Sequence, residues 1–357
     1  MSEVYALMAR ILIKGGRVFD GKDLVCKDVF TENGKITKIE PRIDEECDFV
    51  FDAKEKLVLP GLVDSHVHIK GLSSPKYGFP AELLSIPFGV TAVCDAGSGL
   101  GDKTLLDSMA VKSVVFISYS KDEKANDILL EKYGDRAIGV KIYFDSSISP
   151  DITLDNLKEC CKYARSRNLK VMVHSSNSPA SMTEIVKALS AGDILTHAYH
   201  GDKNTCEENG FEALRLAKEK GVIIDSGFAG YVHTDFGIFR RAVKSGFIPD
   251  VISTDITKAS AYTRGGKYGM PMCMSIAREA GMAEADIFKA VTENPAKALG
   301  KEDSWGSLAV GRTADIAVLD YSDEEISLTD KSGNSIESKK GYRCLLTVSD
   351  GQILYKY

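Results

Sequence analysis

Short runs of apolar residues recur through the middle of the chain, each ending in polar residues. They centre near Val63, Ala92 (GVTAVCDA), Val115 (SVVFIS), Val140 (AIGVKIYF), Met172 (KVMVH), Ile194 (DILTH), Ile223 (GVIIDS) and Ile252 (DVISTD), at intervals of roughly 22 to 32 residues. One strand with its returning helix occupies about that length. Several intervening segments have helical apolar spacing: Leu154, Leu157, Cys161, Ala164; then Met182, Ile185, Val186, Leu189; then Phe211, Leu214, Leu216, Ala217. For the second of these, Ser178-Pro179 predicts an N-cap followed by the first helical position. Runs this apolar fit strands covered on both faces. Eight such units predict an α/β chain whose residues 59–305 form a (β/α)8 TIM-type barrel.

The two ends of the chain have a different texture. Residues 9 to 52 alternate apolar and polar positions, and Asn33-Gly34 falls between two such runs, a strong hairpin signal. The last fifty residues repeat the pattern in TADIAVLDY and CLLTVSDGQILYKY, with Asp350-Gly351 at the turn. Residues 1–58 and 306–357 are therefore expected to build one small β-sandwich domain from both chain ends.

Composition narrows the function classes. A formal charge of −6 without long runs of one sign argues against nucleic acid or an anionic membrane as partner, and leaves a small-molecule substrate. Homo-oligomerisation is compatible with the sequence. The eight cysteines are scattered with no CxxC pair, which fits free thiols in a reducing compartment. The opening MSEVYALMARILIKGG interrupts its apolar residues with Glu3 and Arg10, and no apolar run approaches the ~18 residues of a membrane span. A cytoplasmic protein is expected.

The polar residues at the strand ends carry the chemistry. In LPGLVDSHVHIK, His66 and His68 lie two apart on a strand, so both imidazoles point the same way, about 7 Å apart by the strand rise, and can converge on one divalent ion. The fourth run carries Lys141, the fifth His174, the sixth His197 and the eighth Asp255. Parallel strands of a barrel end around one mouth, so these six become neighbours. Lys141 interrupts an apolar strand, where an ammonium is costly to desolvate. A neutral amine there can take up CO2, and the carbamate is a carboxylate-like bridge between two cations; the alternative is an internal Lys–Asp ion pair.

The PGLVDSHVH stretch, the lysine in GVKIYF, the two later histidines, ISTDI, and VTENPAKALG followed by GSLAVGRTADIAVLD resemble the amidohydrolase superfamily, and within it the predicted amidohydrolase or deacetylase branch. The resemblance implies two divalent metal ions, expected to be zinc, with His66, His68 and Asp255 on one, His174 and His197 on the other, and carboxylated Lys141 between them. It further implies a shared hydroxide as nucleophile and Asp255 as the catalytic proton carrier. The expected activity is hydrolysis of an amide, or an ester, of a small carboxylate-bearing molecule. Dihydroorotase-like opening of a cyclic amide and a non-catalytic scaffold of the same fold are the alternatives.

Three departures separate this chain from the branch pattern. Where Gly-His-Gly is usual after the seventh strand, the sequence runs Asp225-Ser226-Gly227-Phe228, and His233 either replaces the missing imidazole or is an ordinary loop histidine. Tyr143 stands where a basic residue is common, and His200 where asparagine is. Lys70, Tyr143, His200, His233 and Arg264 are the candidate substrate contacts.

Overall fold

The computed structural model of the protein describes residues 10–228, 233–263 and 268–357. Seven of the eight central runs form parallel strands in one sheet. The strands preceding it are β1 (Ile11–Phe19), β2 (Leu24–Glu32), β3 (Lys35–Glu40), β4 (Phe49–Asp52) and β5 (Leu57–Pro60). The sheet itself runs β6 (Leu62–Val67), β7 (Val90–Ser98), β8 (Lys112–Ser118), β9 (Ala137–Tyr143), β10 (Lys170–His174), β11 (Ile194–Thr196) and β12 (Ile223–Ile224), each paired to the next. The eighth run closes the ring. Val251 bridges Asp225 on one side and Ile256 bridges Val67 on the other, both in parallel, so the sheet is a TIM-type barrel as the spacing predicts.

The barrel interior is layered. Val63, Cys94, Phe116, Met172, Ile194 and Val251 pack in one apolar cluster. Each precedes the polar end of its strand, so the cluster lies toward the amino ends. Phe116 can lie across this interior because residue 139 is glycine: a Cβ there would stand 2.3 Å from the Phe116 ring. Two residues beyond Gly139 along β9 comes Lys141, fully buried. The transition from apolar floor to polar mouth thus takes a single step of the strand pleat.

Helices follow the strands where their apolar spacing places them, at Leu154–Ser166, Met182–Ala188 and Glu212–Lys220. The cap of the second differs from expectation. Ser181, not Ser178, is the N-cap, and it exchanges side-chain and backbone hydrogen bonds with Glu184 in a capping box. Ser178 instead bonds the carbonyl of Ala180. The S-x-x-E signature satisfies two backbone donors, which Ser-Pro cannot.

Both chain ends meet in a second sheet. After the barrel come β13 (Ile316–Thr329), β14 (Ser335–Ser349) and β15 (Gln352–Lys356), and the order is β15-β14-β13-β5-β1-β2-β3, with β4 also on β1. The anticipated sandwich is here one continuously hydrogen-bonded eight-stranded sheet around its own core of Ile11, Ile13, Val29, Val58, Ile316 and Leu346. Asn33-Gly34 and Asp350-Gly351 make the expected tight turns, all four residues with φ between 50° and 75°. The long β13–β14 hairpin reaches back to the barrel: Asp330 at its tip accepts from Phe236 N at 2.7 Å, and Lys331 contacts Asp202 at 2.6 Å.

Candidate metal centre

Nε2 of His66 and Nε2 of His68 lie 3.2 and 3.1 Å from Oδ1 of Asp255, so both rings of the first strand face one carboxylate. Ring closure puts it there: Asp255 N donates to the His66 carbonyl at 2.8 Å. Asp255 has φ 45° and His197 φ 60°, a region that non-glycine residues rarely occupy and that costs of order 1–3 kcal/mol. Backbone strain at two functional candidates is a mark of a site held by its surroundings.

The hydrogen-bond network assigns the protons on these rings. His66 Nδ1 is 3.0 Å from Thr196 Oγ1, whose hydroxyl donates to Asp225 Oδ2 at 2.7 Å, so Thr196 accepts from Nδ1–H and Nε2 keeps its lone pair. His68 repeats the arrangement through Ser73, which sits 3.2 Å from Nδ1 and donates to Asp95 at 2.9 Å. His197 gives its Nδ1–H to the Gly227 carbonyl at 2.8 Å, turning Nε2 toward Asp255 Oδ2 at 3.8 Å. Only glycine permits that approach, since a Cβ on residue 227 would lie 2.6 Å from His197 Nδ1.

Three nitrogen lone pairs therefore point at one buried carboxylate whose Oδ1 has no hydrogen-bond partner among the described residues. Burial, followed by the Lys141 ammonium, pushes His66 down to about 4, so this ring is neutral at physiological pH. Burial alone would raise the Asp255 carboxyl, but His66 and His68 more than offset it and hold the group below the usual range. At neutral pH His66 does not carry the charge that this requires. A divalent cation between the nitrogens and the carboxylate resolves the arrangement, and the donor set fits one.

Lys141 stands at the same point, with Nζ 3.2 Å from His66 Nε2. Among the described residues it has no carboxylate within 4 Å, so the internal ion pair is not formed. Burial pushes its amine down to about 8, with Asp255 and Asp225 opposing. About a tenth is then uncharged at pH 7.

His174 is anchored in the reverse sense. Its Nε2 meets Ser176 Oγ at 2.7 Å and Asp145 Oδ2 at 3.2 Å, leaving Nδ1 for the centre. His174, His197 and His233 each offer an atom within 4.8 Å of the others, as do His66, His197 and Asp255. His197 belongs to both groups and stands between them. All three rings of the first group are held below their usual range, by burial before anything else. Phe228, where an imidazole is usual, turns away from the centre and packs edge-on against Phe239 at 5.4 Å.

The other sequence candidates are spread around this cluster. Tyr143 lies 6.1 Å from the His174 ring and donates to the Ala96 carbonyl at 3.2 Å. Lys70 lines a cleft of about 740 Å³ together with Ser73, Gly97 and Lys258. His200 is fully buried; Asp202 N donates to its Nδ1 at 3.2 Å, so Nε2 carries the proton, and that N–H has no partner among the described residues. Arg264 lies outside the described residues.

Sequence reasoning missed the residues that orient the rings: Ser73, Asp95, Asp145, Ser176, Thr196 and Asp225. Asp225 and Asp95 had a usable signal, since they end the seventh and second apolar runs as the other candidates end theirs. Lys331 was also missed. It is close enough to act electrostatically on His200 and His233, and it arrives from the C-terminal hairpin.

The barrel agrees with the comparisons. The Amidohydrolase family model matches residues 57–354, and the chain belongs to this family of hydrolases acting on carbon–nitrogen bonds. It is 26% identical to a deacetylase of Enterococcus faecalis, over 96% of this chain and 98% of that protein. A dihydroorotase of Elusimicrobium minutum is 24% identical over 89% and 91% of the two chains. Among solved structures, an adenine deaminase superposes with a TM-score of 0.86 at 22% identity, over 97% of this chain and 99% of that one, which shows the shared fold. No helix among the described residues is long and apolar enough to cross a membrane.

Proposed function

We propose that the protein is a binuclear metal-dependent amidohydrolase of the deacetylase type, acting on an amide, or an ester, of a small carboxylate-bearing molecule. The observation that carries the metal is the set of three Nε2 lone pairs turned on Asp255. His66, His68 and Asp255 would hold one divalent ion, expected to be zinc, and His174 and His197 the other, with Lys141 as a carbamate between them. When bound, the ions supply Lewis acidity to the scissile carbonyl and a lowered pKa, near 7, for water at the site.

The remaining work falls to side chains. Asp255 takes the proton of the attacking water and returns it to the leaving nitrogen, a role open to Oδ2, which faces the second histidine group. His200 offers its unspent Nε2–H to a substrate oxygen. A buried donor left unpaired costs about 1–3 kcal/mol, which a substrate oxygen would recover. Lys70 lines the cleft, and Lys331 acts on His200 and His233 from an ion pair with Asp202 for which a substrate carboxylate would compete, which supports a carboxylate over a neutral nucleobase. Similarity to deacetylases over nearly the full chain supports an acyl group as the fragment removed; ring opening of a cyclic amide is the second reading, supported by the dihydroorotase relatives.

A panel assay of zinc-reconstituted protein tests the proposal. Hydrolysis of N-acyl amino acids or carboxylated cyclic amides is expected, with no release of ammonia from adenine or cytosine. Deamination of a base, without activity on any carboxylated amide or ester, would overturn it.

A further inference from the structure

His233 stands in a position that the six strand-end residues do not explain. It lies beyond the seventh strand, yet its ring centroid is 4.1 Å from His197 and 4.9 Å from His174. Its Nδ1 is 3.0 Å from Ser176 Oγ, the same oxygen that meets His174 Nε2, and its Nε2 points inward, 3.8 Å from Asp255 Oδ2. One hydroxyl oxygen has two acceptor lone pairs. Taking Nδ1–H of His233 and Nε2–H of His174 on Ser176 turns the two remaining lone pairs toward His197 Nε2.

We propose that His233 is the third nitrogen donor of the second metal position, so that His174, His197 and His233 form a three-imidazole site able to hold its ion without the Lys141 bridge. This rests on the metal-dependent reading above. Three neutral imidazoles with an open fourth place are a sufficient zinc ligand set in catalytic sites generally. A site with only His174 and His197 would depend on the carbamate for its third protein ligand. The spacing supports the same role: the three rings lie within 5 Å centroid to centroid and each offers a ligand atom within 4.8 Å of the others. The loop that carries His233 also returns the chain to the barrel, because Thr234 bridges His200 and Asp235 N donates to the Tyr199 carbonyl at 2.9 Å. Its approach to the centre is built into the fold.

The experiment counts zinc per chain after dialysis in four proteins: wild type, Lys141→Ala, His233→Asn and the double variant. Two ions are expected in the wild type and in Lys141→Ala, where the first position keeps His66, His68 and Asp255, and one in the double variant, with at least about a tenfold loss in competition against a chelator when His233 is replaced. Cobalt loading of Lys141→Ala gives a second readout, a visible absorption band of four-coordinate nitrogen-ligated cobalt that His233→Asn should remove or shift. His233→Gln repeats the measurement in case the asparagine variant misfolds, and circular dichroism checks all of them. The same ion count in Lys141→Ala and the double variant would overturn the proposal, leaving His233 as a proton donor through the opposite tautomer. So would loss of both ions in Lys141→Ala. A wild type that binds no metal would instead overturn the functional reading itself.

Discussion

Nε2 of His66 and Oδ1 of Asp255 stand 3.2 Å apart with no proton between them. The proton on His66 is on the far nitrogen, held through Thr196 by Asp225. Two electron-rich atoms at that distance repel unless a cation joins them, and the site's response to metal follows from this.

Metal removal should destabilise the protein. An ion that binds only the folded chain adds about 2.7 kcal/mol at a free concentration one hundred times its dissociation constant. Chelator-treated protein should unfold at lower urea than zinc-loaded protein, and the difference should grow with zinc concentration. Equal midpoints would show that no ion belongs to the folded state.

Asp255→Asn should cost both stability and turnover. In the metal-free protein the carboxylate offsets the buried Lys141 ammonium, so the amide should lower stability. Turnover of the metal-loaded variant should fall at least ~10²-fold, since the proton carrier is gone. Urea titration and initial rates measure the two effects on the same preparations.

Thr196→Val keeps shape and volume but takes away the acceptor that fixes the His66 tautomer. Zinc affinity should drop ~10–100-fold with the fold intact. Isothermal titration with zinc checks this, and an unchanged affinity would mean that the tautomer is set by Asp225 alone.

Lys141 gives the metal-free protein a pH dependence of calculable sign. Its folded pKa near 8 lies below the ordinary 10.5, so the cost of burying the ammonium is fully present below pH 8. As pH rises from 8 to 10.5 that cost is relieved and stability should increase, by at most ~3 kcal/mol. Urea midpoints in bicarbonate-free buffer should climb through this window for the wild type. Lys141→Met should flatten the climb.

Lys331→Ala should raise KM for a carboxylated amide about tenfold while leaving kcat nearly unchanged, because the side chain is placed to hold charge and not to transfer protons. A neutral ester should be indifferent to the change. An equal loss on both substrates would count against a carboxylate contact.

Much of the barrel was legible because parallel strands covered on both faces must be apolar, and their exceptions are few. His66 and His68 follow from strand alternation alone, and Lys141 from the cost of a charge inside AIGVKIYF. His233 and Lys331 were not legible in this way. The first reaches the centre by a loop and the second by a hairpin from another sheet, and no local period encodes either approach. Phe228 shows the opposite limit: its position suggests a ligand, while its packing against Phe239 makes it core.

The pairing of β5 with β13 joins Leu57–Pro60 to Ile316–Leu319, segments about 250 residues apart. At a synthesis rate of about 5–20 residues per second, the amino-terminal strands wait of order 10–50 s on the ribosome before their partner emerges. During that interval the edge of β5 is open to any other strand. The order of synthesis thus delivers every barrel strand before the hairpin that carries Lys331 to the histidine cluster.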